Sequence, residues 1–208
     1  MRHPVRVPTL TAVIAGVVVG VCAPLLTSTG GHAGQVAHVA LSAGWSWAAL
    51  AFCVGMPGGS KAASSARGAI ALIAGVLAYY TTKAVRGDFL AADLGDPTGR
   101  TTYFSWGDFL SKALLWCFFA CLLGPLLGAA GNLARNGPHR LPCRLLVPVV
   151  AVVENTMELG DRAPLQDPLN ATTWAVIRVV AVAVILALVG HVAFDHRRRR
   201  PPEQVRAP

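Results

Sequence analysis

The chain has 208 residues, 54% of them hydrophobic and only 13% charged. A soluble domain carries roughly a quarter of its residues as charges, and a disordered chain has low hydrophobicity, so composition excludes both. The 18 basic and 10 acidic residues give a net charge of +8, but they collect between apolar blocks, the pattern of an all-α integral membrane bundle rather than of a nucleic-acid-binding surface.

A membrane-spanning helix needs about 20 mostly apolar residues. The sequence predicts the first over 9–26 and the second over 35–56, the latter without a charge. Gly16 and Gly20 have the spacing that lets helices approach closely. Pro57-Gly58-Gly59-Ser60, then Lys61 and a run of Ala and Ser, read as a flexible cytoplasmic linker. A third helix is expected over 68–82. The loop over 83–108 carries a turn signal at Gly95-Asp96-Pro97-Thr98-Gly99. Its aromatics, Phe89, Tyr103, Phe104 and Trp106, suit the membrane interface. The fourth helix, 109–133, repeats the small-residue spacing at Gly124 and Gly128. The fifth, 145–159, is interrupted by Glu154, and the sixth, 172–194, by Arg178. Pro125 and Pro148 fall within spans and predict kinks.

Placed on alternating sides, twelve basic residues share one side and four the other, with Lys112 and Arg178 inside spans. The richer side is cytoplasmic. The expectation is therefore about six transmembrane helices, both termini cytoplasmic, in a multi-pass protein of the bacterial cell membrane. The first block also reads as a cleaved signal sequence, which would leave five spans. Residues 1–196 form a single polytopic domain. Residues 197–208 are a basic, Pro-containing cytoplasmic tail whose four arginines suit anionic lipid.

Ionisable groups at membrane depth cost roughly 2.5–3.5 kcal/mol, so each one calls for a partner or a function. Glu154 lies ten positions past Arg144, about 15 Å along a helix, near mid-membrane. Glu158 and Asp161 share its face and Asn155 lies beside it. Arg178 reaches a similar level, which predicts either an ion pair with Glu154 or Glu158, or an acid tuned for proton donation or ligand binding. Tyr79, Tyr80, Lys83, Asp88, Asp108, Lys112 and Trp116 cluster toward the outer half. Singly they are interfacial residues. Jointly they would line a pocket whose aromatic faces suit a hydrophobic substrate developing positive charge. His32, His38, His139 and His191 stand apart, and no cysteine pair has zinc spacing. No metal and no cofactor are expected, and no P-loop, nucleophile elbow or dinucleotide fingerprint occurs.

Ala78-Tyr79-Tyr80, Gly124-Pro125-Leu126-Leu127-Gly128 and a Glu in the following span resemble a family of small actinobacterial multi-span membrane proteins of unknown function, over residues 65–190. In residue types alone, the chain also resembles bacterial membrane-bound terpene cyclases such as the indole-sesquiterpene cyclases. That resemblance implies a metal-free isomerase or lyase that protonates an alkene or epoxide of an isoprenoid. Glu154 and Glu158 would then be the catalytic acids, and Tyr79, Tyr80 and Trp116 would guide the cation. Asp88, Asn155 and Arg178 complete the substrate-binding set that the residues themselves suggest. Two other expectations stand beside the enzyme. One is a small transporter component with Glu154 as its proton or cation site, which at this length would need an oligomer. The other is a non-catalytic assembly partner. The expected partners are membrane lipid and a hydrophobic isoprenoid substrate, not nucleic acid, and the sequence does not define an oligomeric state.

Overall fold

The computed structural model describes residues 6–28, 30–93, 95, 100–137, 140–161 and 167–198. The fold is all-α, with seven helices among these residues and one small hairpin. They are α1 (Arg6–Leu25), α2 (His32–Ser42), α3 (Gly44–Gly55), α4 (Lys61–Val85), α5 (Trp106–Asn136), α6 (Arg140–Asp161) and α7 (Pro168–Arg198). A 3-10 turn (Leu26–Ser28) closes α1, and β1 (Leu90–Ala92) pairs antiparallel with β2 (Thr102–Phe104). Segments Lys61–Val85, Trp106–Asn136 and Pro168–Phe194 are long and apolar enough to cross a membrane. The α2–α3 pair would make a fourth such segment, and it is bent by 64°. Thr9–Leu25 is apolar but shorter.

The helix boundaries correct three expectations. The span over 35–56 is broken at Ala43, whose extended ψ of 144° ends α2 before α3 begins. The linker after Gly59 is not flexible: Ser60 caps α4, its Oγ accepting from the Ala63 N–H at 3.2 Å. The Ala-rich run that follows has the highest helix propensity, so α4 starts seven residues ahead of the expected 68. The outer loop holds a hairpin, and Phe89 is buried at its base rather than laid at an interface.

α4 is the centre of the bundle, in contact with α1, α3 and α5. The reason is the absence of side chains at the crossings. A Cβ on Gly16 would collide with the Ala71 carbonyl, and one on Gly20 with the Gly75 carbonyl. These pairings advance together, so α1 and α4 run parallel. Nearer the start of α4, Gly68 meets the Gly124 carbonyl and Gly128 meets the Ser64 carbonyl, so α4 and α5 run antiparallel. Lipid tails give little hydrophobic drive between helices, and close backbone approach supplies dispersion contacts instead. α6 and α7 form a second pair, tied to the rest through α2, α3 and α5.

The end of α1 has no basic residue of its own in its last turn. Its terminal carbonyls are satisfied from elsewhere. His38 Nδ1 donates to Ala23 O at 2.7 Å, and Arg86 donates to Pro24 O and to Thr27 Oγ1. Helix C-termini favour donors and cations of this kind.

Candidate functional site

The α2–α3 break leaves the first N–H groups of α3 without partners inside the helix. Ala43, at the N-cap position, has no side chain able to cap them. Glu154, on α6, does so instead. Its Oε1 accepts from the Gly44 N–H at 2.6 Å and its Oε2 from the Trp45 N–H at 2.7 Å. A carboxylate suits the positive end of a helix dipole, and bonds to an ionised acceptor are the short, strong ones. Gly44 makes room: a Cβ there would sit 3.2 Å from Oε1 and 3.3 Å from Oε2.

The neighbouring acids do not repeat this arrangement. Glu158 is half-buried one turn further on, with Oε2 out of reach of solvent. Asp161 ends α6, and its side chain lies outside the described residues. Asn155 is 1% exposed and donates to the Ala151 carbonyl at 2.7 Å, within its own helix. The expected ion pair between Arg178 and Glu154 or Glu158 is not formed. Among the described residues the salt bridge is Lys83 to Asp88 at 3.2 Å. The reason is that Glu154 meets its demand for donors on the α3 backbone, not on α7.

A second group is aromatic. Trp47 packs edge-on against Tyr79 with ring centroids 6.0 Å apart, and Tyr79 against Tyr80 at 5.3 Å. The chain of rings continues to Phe89 at 6.2 Å, and from Phe89 to Phe109 at 5.4 Å and to Phe104 at 6.2 Å. Lys83 lies 5.8 Å over the Tyr79 ring and Lys112 5.6 Å from the Phe89 centroid. The structure therefore brings Tyr79, Tyr80 and, through Lys83, Asp88 together as a packed stack. Trp116 stands apart. It is 51% exposed on α5 and contacts Phe119 at 5.9 Å. The first turn of α3 connects the two groups, because Trp45 bonds Glu154 and Trp47 meets Tyr79.

Sequence reasoning missed Gly44, Trp45 and Trp47, the residues that answer Glu154 and the tyrosines. The available signal was the pair of tryptophans inside an apolar span. It also missed a cavity of about 340 Å3 among α2, the start of α7 and the Gly30–Gly31 turn, with Gln35, His38 and Asn170 in its lining. Beside it, Asp167 caps α7 by accepting from the Leu169 N–H at 3.0 Å, with Pro168 at the first helical position. That backbone bond, and then one from Gln35, hold the Asp167 carboxyl below its ordinary value of 3.8. Among the described residues, no group of three or more His, Cys, Asp or Glu side chains is placed to hold a metal ion.

A family model matches residues 2–202. The chain belongs to DUF6518, a family of unknown function. The match takes in nearly the whole DUF6518 chain, well beyond the stretch 65–190 that carries the motifs. No curated protein and no solved structure matches it.

Proposed function

We propose that the protein is a non-catalytic integral membrane protein that assembles with another membrane protein through the outward face of α5. In this reading it crosses the cell membrane several times with both termini cytoplasmic. The observation that carries the reading is an aromatic group on α5. Trp116 and Phe118 each touch Phe119, and all three remain exposed. Trp116 lies ten residues past Trp106, about 15 Å along the helix, at mid-depth and away from the interface where tryptophans collect. The large exposed hydrophobic side chains of α7 are, by contrast, Val and Leu from Val176 to Val192, with Phe194 the aromatic near its end. Aromatic anchors dominate protein contacts, and no charge lies between Lys112 and Arg135 on α5. The fitting partner is an apolar transmembrane helix.

Glu154 supports the same reading. Both of its oxygens are engaged by backbone N–H groups, which suits an anchor; a general acid must instead aim its proton at the substrate. Tyr79 and Tyr80 pack on other rings.

Photo-crosslinking in native membranes tests the proposal. A benzophenone amino acid at Phe118 should yield a discrete protein adduct, and one at buried Leu72 should not. Lipid adducts alone at Phe118 would overturn it. So would conversion of a linear prenylated substrate that is lost in Glu154→Gln, which would restore the cyclase expectation.

A further inference from the structure

α7 is the least enclosed of the long apolar helices: 6% of its most apolar stretch is buried, against 33% on α4 and 28% on α5. Between Pro168 and Phe194 its one residue of formal charge is Arg178. Arg178 is half-buried, yet among the described residues it has no hydrogen bond, ion pair or ring contact. Rotation along the helix explains this. Thr173, Trp174 and Ala181 are buried, and Val176, Val179 and Val180 are exposed. At about 100° per residue, Arg178 falls on the rim between these two faces. Val182, Ile185 and Val189 follow it at i+4, i+7 and i+11, the spacing of one helical stripe. Val182 and Val189 are 40% and 43% exposed, and Ile185 is half-buried. The rim is therefore an aliphatic strip that begins in an unanswered cation.

A guanidinium in hydrocarbon is costly and calls for an acceptor. Pro168–Phe194 rises about 39 Å, against a hydrocarbon core of about 30 Å. Centred in that core, α7 holds Arg178 about 10 Å below the nearer boundary. Its side chain leans toward the Pro168 end, which shortens that distance without closing it, and the lipid tails around it have no acceptor to give. A second copy of the chain cannot supply one. The chain has no acid before Asp88, between Asp108 and Glu154, or between Asp167 and Asp195. Glu154 is held by the α3 N–H groups, and Glu158 is already engaged.

We propose that the α7 rim docks a transmembrane helix of another protein, one that carries an Asp or Glu at the level of Arg178 and aliphatic side chains beyond it. A carboxylate answers a guanidinium with a bidentate, charge-assisted pair, and Val182, Ile185 and Val189 continue the contact along the strip. The proposal takes α7 to span the membrane. It does not depend on the α5 contact, since α7 packs on α6 and α2 and, among the described residues, not on α5.

The test uses the full chain in phosphatidylcholine vesicles with an added transmembrane probe. The probe is a Leu-Ala helix of about 20 residues with one Asp set about 10 Å from its end, or with Leu or Lys in that place. Energy transfer between labels on the chain and on the probe reads association. The wild type should bind the Asp helix about tenfold more tightly than the Leu helix, and the Lys helix least. Arg178→Leu should erase the preference, Arg178→Glu should transfer it to the Lys helix, and Trp116→Ala should leave it unchanged. The probe series leaves the chain itself unaltered, so the proposal stays testable should an Arg178 variant not fold. Equal binding of the Asp and Leu helices by the wild type would overturn it. So would a preference that survives Arg178→Leu, or one that is lost when phosphatidylglycerol replaces phosphatidylcholine, which would give the guanidinium to a lipid phosphate.

Discussion

Removing the Glu154 carboxylate is the most direct probe of how the bundle holds its broken helix. Glu154→Ala deletes two acceptors at once and leaves the Gly44 and Trp45 N–H groups without them. Hydrogen bonds to a charged group contribute about 1.5–3 kcal/mol each. Taking the lower value for both, because Gly44 is exposed, the loss is about 3 kcal/mol. For a chain of this length, each kcal/mol moves the midpoint by about 2–4 °C, so thermal unfolding should fall by about 6–12 °C. Glu154→Gln keeps one acceptor oxygen but sets an NH2 against a backbone N–H, and should recover less than half of the loss. Glu154→Asp, one methylene shorter, cannot reach both amides and should lie between the two. The assay is thermal unfolding in nanodiscs, paired with amide exchange at Gly44 and Trp45. Those two amides should lose protection before the core of α4 does. An unchanged midpoint and unchanged protection in Glu154→Ala would refute the capping argument.

At the helix crossings, Gly16→Val and Gly128→Val should each destabilise by about 3 kcal/mol or more, above the usual overpacking range, since the new side chain meets backbone; reduced folded yield on size exclusion checks this. Single cysteines on a Cys-free background report topology: one at Gly95 should react with an impermeant reagent from outside, and one at Ser60 should not. The α2–α7 tie through Asp167 should respond to acid. Its carboxyl is held below its ordinary value, so its stabilisation is complete above pH 3.8 and fades as pH falls through the lower folded value. Asp167→Asn should flatten that acid limb in a pH series of unfolding. Lys83→Met should change stability by less than about 1 kcal/mol, as expected for a partly exposed pair, measured by denaturant midpoint.

The helices were readable because apolar length and charge placement are local properties of the chain. Each expected span has a helix over it, and the spacing of Gly16 with Gly20 and of Gly124 with Gly128 marked the faces that pack. The break at Ala43 left no such trace. Neither Ala43 nor Gly44 disrupts the apolar run, and the bend is held by a carboxylate more than a hundred residues away. The same distance explains the error at Arg178. Depth along two helices placed it level with Glu154, but depth does not reveal rotation, nor that a backbone terminus would compete for the acid. The aromatic stack was half legible: Tyr79 and Tyr80 stood out, while Phe89 is a core residue through its ring contacts with Tyr80, Phe104 and Phe109, which come from three separate stretches of chain.

The parallel crossing of α1 on α4 has a consequence for how the chain is made. α1 is synthesised first, yet the residues its glycines meet, Ala71 and Gly75, and the Arg86 that donates to its Pro24 carbonyl, come some sixty residues later. At roughly 5–20 residues per second, α1 waits about 3–12 s before its main contact exists. Over that interval its small-residue face is open to any other helix that meets it. The helices made in between, α2 and α3, touch α1 far less than α4 does, so most of that face stays open until α4 arrives.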